Sequence, residues 1–84
     1  MYRLVFTKQA VKDFEKIKAS PHKSKALKLL NVLEADPMQP PYEKLVDQTA
    51  VYSRRINIQH RLVYEIVDET TIKIIRMWTH YGDN

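Results

Sequence analysis

Three of the chain's four prolines fall within residues 36–44, Asp-Pro-Met-Gln-Pro-Pro-Tyr-Glu-Lys. Proline fixes φ and has no N–H to donate, so this stretch is stiff, extended and excluded from the middle of a sheet. The hydrophobic period also changes across it. Before it, apolar residues recur at three- and four-residue steps; from Val51 onward they alternate. The chain is therefore expected to divide into a helical half and a sheet half, joined by a loop crossing the surface. With 84 residues it reads as one domain spanning 1–84, near the small end of what folds without staples.

Residues 2–6, Tyr-Arg-Leu-Val-Phe, read as a short strand of β-formers. Thr7 is placed to cap a helix over 8–18, with Ala10, Val11, Phe14 and Ile17 inward and Lys8, Lys12, Asp13, Lys16 and Lys18 on a solvated face. Ser20-Pro21 reads as the start of a second helix running to about Ala35, cored by Ala26, Leu29, Leu30 and Leu33. Asp36-Pro37 ends it. Strands are expected at about 51–57, 60–67 and 71–80, with Asp68-Glu69-Thr70 turning between the last two. The order β-α-α-β-β-β predicts an α+β fold, two N-terminal helices on one face of a mainly antiparallel four-stranded sheet whose other face is open.

The residues from Tyr52 to Tyr64 carry the chemistry. Arg54, Arg55, Arg61 and His60 stand there among β-branched and aromatic residues. Cations on a sheet destabilise it unless an anion or water meets them. Alternation, with the more apolar sets turned to the helices, gathers Arg55, Arg61, Arg76, Trp78 and His80 on the open face. It sends Arg54 the other way, to a sheet edge or to an acidic residue on a helix. Guanidinium forks suit phosphate and an indole plane stacks on unpaired bases, so the face fits single-stranded RNA better than duplex DNA.

Composition narrows the options. There is no cysteine, which excludes disulfides, thiolate metal sites and cysteine nucleophiles. Gly82 is the only glycine, so glycine-rich phosphate loops are excluded and side chains must bind any phosphate. A formal charge of +4 is compatible with a nucleic-acid or acidic-protein partner. His60 and His80 lack a third ligand at fitting spacing, so neither a metal nor another cofactor is expected. Nothing in the sequence has the length of a signal h-region or a membrane span, and a soluble cytoplasmic protein with no membrane partner is expected.

Glu43, Arg55, Arg61, His80 and Tyr81 together could cleave RNA without a metal. A base takes the 2′-hydroxyl proton, the oxygen attacks the adjacent phosphorus, and an acid protonates the leaving 5′-oxygen. Glu43 is the candidate base, His80 the candidate acid, and the two arginines hold the phosphorane charge. The same basic face also suits a non-catalytic RNA- or protein-binding module, in which His80 is an ordinary structural histidine.

Glu43-Lys44-Leu45, Tyr52-Ser53-Arg54-Arg55-Ile56-Asn57, Gln59-His60-Arg61-Leu62-Val63-Tyr64 and Trp78-Thr79-His80-Tyr81 resemble the YoeB/Txe toxins of the RelE superfamily over the whole chain. The resemblance implies a RelE-like fold and a ribosome-dependent mRNA endonuclease, the toxin of a type II toxin–antitoxin pair. It places the catalytic set on Glu43, Arg55, Arg61, His80 and Tyr81, and RNA contacts on Lys44, Ser53, Arg54, Gln59 and Trp78. It implies a YefM/Axe-like antitoxin whose tail folds over the toxin, the ribosome and mRNA as targets, operator DNA reached only through the antitoxin complex, and a homodimer. A gyrase-directed toxin of the related ParE type shares the fold. The chain departs from many relatives in having Lys44 beside the glutamate, Gln59 in place of an acidic residue, and Gly82-Asp83-Asn84 after the tyrosine.

Overall fold

The computed structural model describes residues 1–45 and 48–79, the last two of them in their backbone only. Seven elements follow one another: β1 Arg3–Phe6, α1 Lys8–Lys18, α2 Lys23–Ala35, β2 Glu43–Lys44, β3 Val51–Arg55, β4 Arg61–Ile66 and β5 Thr71–Thr79. They form one sheet in the order β1-β5-β4-β3-β2. β1 lies parallel to β5, and the other pairs are antiparallel. The expected α+β order therefore holds, with one difference. The sheet has five strands among the described residues, because Glu43 and Lys44, soon after the last proline, pair with Ser53 and Tyr52 at the edge.

Thr7 caps α1 by accepting from the Ala10 N–H at 3.0 Å, and its hydroxyl donates to the Ile75 carbonyl at 2.9 Å. One side chain thus starts the helix and ties it to β5. The buried line of α1 is Ala10, Asp13 and Ile17, while Val11 is 48% exposed. This corrects two expectations: the aspartate, not the valine, turns inward.

α2 starts at Lys23, later than Ser20-Pro21 suggested, and His22 makes no side-chain cap bond. Ser20 is used differently. Its hydroxyl donates to the Ile17 carbonyl at 2.8 Å and accepts from the His22 N–H at 3.1 Å, closing the end of α1 and the turn after it. The helix ends at an extended Asp36, as the following proline requires.

Ala26, Leu30 and Leu33 of α2 pack with Ala10 and Ile17 against Leu62, Tyr64, Ile72, Ile74 and Met77 of the sheet. In β4 the alternation behaves as expected. In β5 it breaks, since Ile74 and Met77 both enter this core although three residues apart. The register explains it: Tyr64 faces Ile74, Val63 faces Arg76 and Arg61 faces Thr79, so β5 carries extra residues opposite this part of β4. The far face is not uniformly wet either, for Val51, Ser53 and Val63 are buried. The turn after β4 forms at Asp68, whose carboxylate accepts from the Thr70 N–H at 2.8 Å and from its hydroxyl at 3.0 Å. Among the described residues no helix is long and apolar enough to cross a membrane.

Candidate functional site

The antiparallel register sets Arg55 directly opposite Arg61. Two like charges facing each other across a strand pair repel, and the structure separates their employment. Arg61 leans across Ser53, donating from Nε to the serine hydroxyl at 3.1 Å and from Nη2 to a carboxylate oxygen of Glu43. Glu43 is brought there because β2 pairs it with Ser53. Arg55 stays exposed and makes no ion pair among the described residues. Glu43, Ser53, Arg55 and Arg61 all line one groove of about 630 Å³.

The loop that carries Glu43 is held from beneath by Arg54. This arginine is 3% exposed. Its Nη2 donates to the Pro37 carbonyl at 2.7 Å, its Nη1 to the Pro41 carbonyl at 3.1 Å, and its Nε to the Tyr64 hydroxyl at 3.2 Å. The Tyr64 hydroxyl in turn donates to the Pro37 carbonyl at 2.9 Å. The guanidinium carbon lies 5.7 Å from the Tyr42 ring centroid and 5.6 Å from that of Tyr64. Burial pushes the Tyr64 phenol above its ordinary pKa, and the neighbouring guanidinium only partly opposes this. Carbonyls and rings therefore take the place of the acidic helix partner expected for Arg54. A buried guanidinium so employed is a loop clamp and has little surface left for RNA.

Ser53 is likewise buried, at 1% exposure, and its hydroxyl serves Arg61. It orients a cation and offers little surface to a ligand. Lys44 is exposed on β2, and Gln59 is exposed in the turn between β3 and β4. That turn is shaped by Asn57, whose side-chain oxygen accepts from the Gln59 and His60 N–H groups, both at 2.7 Å. The Trp78 side chain, His80 and Tyr81 lie outside the described residues.

Arg76 does not join Arg55 and Arg61. It bonds Asp13 of α1 from Nε at 2.8 Å and from Nη2 at 3.4 Å. The Asp13 carboxylate also accepts from the Met77 N–H at 3.0 Å and from Gln9 at 3.1 Å. Burial pushes the Asp13 carboxyl up, but these bonds, led by Arg76, outweigh it and hold its pKa below the usual value. Sequence spacing also missed that Lys25 and Leu29 of α2 reach the groove. Helical periodicity marks Leu29 only as core and Lys25 only as surface, so no local signal was there to find.

The model of the YoeB-like toxins of bacterial type II toxin–antitoxin systems matches residues 6–81. Among solved structures, the YoeB dimer from Staphylococcus aureus superposes with a TM-score of 0.82 at 32% identity, over 95% of this chain and 98% of that one. The YoeB–YefM complex from the same organism gives 0.78 at 32% identity, over 96% and 99%. A YoeB/ParE toxin from Agrobacterium tumefaciens gives 0.81 at 25% identity, over 96% and 100%. The Escherichia coli DinJ–YafQ complex, at 15% identity and a TM-score of 0.78, shares the fold. Among curated protein sequences none matches the chain significantly.

Proposed function

The chain belongs to the YoeB-like toxins of bacterial type II toxin–antitoxin systems, and on that premise we propose that it is a ribosome-dependent mRNA endoribonuclease working by acid–base chemistry. The observation that carries the proposal is the joining of Glu43 to Arg61 in a groove that also presents Arg55, which makes no ion pair among the described residues. In the proposed reaction a message phosphate takes the donors of Arg61 and Arg55. Glu43, released from Arg61, accepts the proton of the neighbouring 2′-hydroxyl. The 2′-oxygen attacks phosphorus, the bond to the 5′-oxygen breaks, and a 2′,3′-cyclic phosphate and a 5′-hydroxyl result. His80 gives the leaving oxygen its proton, and Tyr81 completes the site. Lys44 and Gln59, both exposed, contact flanking RNA together with Trp78 in this reading.

Preorganisation supports this assignment. Donors aimed at developing charge typically contribute ~10²–10³-fold each when they need not reorganise. Arg61 is held by Ser53 throughout, and Glu43 by its strand pairing and the loop clamp, so that only the Glu43–Arg61 bond opens when the phosphate enters. The partner that restrains such a toxin is proposed to be a YefM-like antitoxin, since the S. aureus YoeB structures include YoeB–YefM complexes. A homodimer is proposed on the same footing, from the S. aureus YoeB dimer. The test is translation of a defined message in the presence of the purified protein, with primer extension on the product. Cuts within the translated region support the nuclease. Intact message with stalled translation favours a binding module, and intact message with broken DNA a gyrase poison.

A further inference from the structure

The groove is longer than one scissile phosphate requires. Its volume of about 630 Å³ lies within the ~300–1,000 Å³ range of clefts that hold a ligand. Besides Glu43, Ser53, Arg55 and Arg61, its lining includes Ile56, Asn57 and Ile58 around the end of β3 and Lys25 and Leu29 on α2. This α2 side of the lining offers two kinds of surface. Leu29 is partly buried against the core, and Ile58, 87% exposed, stands in the turn after β3. A large aliphatic side chain that exposed is unremarkable alone, but here it forms one wall of a concave site. Lys25 is exposed and makes no ion pair among the described residues. Among the described residues Glu43 is the single acidic residue in the lining, and Arg61 holds it, which leaves Lys25 and Arg55 as the exposed cations.

We infer that the part of the groove lined by Lys25, Leu29 and Ile58 is a second nucleotide subsite, taking the base and phosphate of a residue that flanks the cut in single-stranded RNA. The inference rests on the nuclease proposal and extends it. A flat base lies between Leu29 and Ile58, where apolar walls grip either face without reading its edges. The next phosphate reaches Lys25, which balances charge as a mobile ammonium and not as a rigid fork. Charge complementarity favours an occupant with a regular anion and an apolar plane on each unit, which describes a nucleic-acid strand. An acidic peptide is the competing occupant, and it makes no special use of a slot between two aliphatic walls.

The test uses the whole protein and three proteins in parallel: the unsubstituted chain, Lys25→Gln and Ile58→Ser. Both positions are exposed, and thermal unfolding checks that the fold is kept. The probe is a single-stranded RNA hexanucleotide with 2′-O-methyl sugars, which cannot be cleaved through the 2′-oxygen, followed by fluorescence anisotropy across a salt series. Each variant is expected to bind it about three- to tenfold more weakly, while a 2′-O-methyl dinucleotide is bound equally by all three. Lys25→Gln should also lower the slope of log K against log salt by about 0.7, the signature of one lost phosphate contact on a single strand. Equal hexanucleotide affinities across the three proteins, or no binding by the unsubstituted chain, overturn the subsite. Dependence on Lys25 and Ile58 for hexaglutamate but not for RNA also overturns it, since the groove then serves an acidic peptide. Failure of the unsubstituted protein to cut message on ribosomes is a separate result, which defeats the nuclease proposal itself.

Discussion

Arg54 donates to the carbonyl oxygen of Pro37 at 2.7 Å, joining the middle of the sheet to the start of the loop that ends in Glu43. Its further bond to the Pro41 carbonyl means that one side chain spans most of that loop. The proline stretch is stiff in itself, but stiffness gives no position; the clamp supplies that. Arg54→Ala should therefore depress cleavage about 100-fold without removing any group that touches RNA, because misplacing a base by about 1 Å is enough. It should also lower stability by about 2–4 kcal/mol, since the buried Tyr64 hydroxyl loses its guanidinium partner, the Pro37 carbonyl one of its two donors, and the Pro41 carbonyl its side-chain donor. Urea unfolding and amide hydrogen exchange across residues 36–45 check both effects. Arg54→Lys should rescue little, for one ammonium cannot replace three donors in a planar fork.

Ser53→Ala isolates the orientation of Arg61. The hydroxyl is a single buried contact to a cation, and its loss should cost at most about 1–2 kcal/mol of stability. Single-turnover cleavage on ribosomes should slow about three- to tenfold, with ribosome affinity unchanged. An equal fall in affinity would show that Ser53 meets the message itself.

The Asp13–Arg76 pair predicts how stability depends on pH. The bonds from Arg76, the Met77 N–H and Gln9 hold the carboxyl pKa in the folded chain below its ordinary value. Its contribution is therefore complete above the unfolded-state value and is lost as pH falls through the folded-state value. The unsubstituted protein should lose part of its urea resistance below about pH 4, along with whatever other carboxylates contribute. Asp13→Asn should be less stable by about 2–3 kcal/mol at pH 7 and should show a flatter decline into acid. A parallel shift of the whole pH curve would remove the carboxylate from the account.

Much of the fold was legible because its signals are local. The change of period across residues 36–44, the Thr7 cap, the stop at Asp36-Pro37 and the Asp68 turn each need only a few neighbouring residues. The features that escaped depend on distant partners. Asp13 stands among lysines and looks solvated until β5 brings Arg76 and the Met77 N–H to it, more than 60 positions away. The extra residues in β5 break the alternation, which is why Arg76 leaves the set it was expected to join. Arg54 was rightly sent to the helix side, but its partners are backbone carbonyls, which no sequence pattern marks. At the site, alternation puts Arg55 and Arg61 on one face, while Glu43 joins them only by residue type and family resemblance, because the path of the 36–44 loop depends on the Glu43–Ser53 pairing and the Arg54 clamp. Ser53 and Arg54, expected to contact RNA, support the residues beside them.

The central claim is that Glu43 and Arg61 work as one unit on message phosphate. The most direct measurement is the cleavage rate on programmed ribosomes for Glu43→Gln, Arg61→Ala and the double variant, with ribosome affinity followed in parallel. The account predicts losses of about 10²–10⁴-fold for each single change, affinity nearly intact for Glu43→Gln, and a double variant no worse than about tenfold below the slower single one. Cleavage by Glu43→Gln at the unsubstituted rate would contradict it.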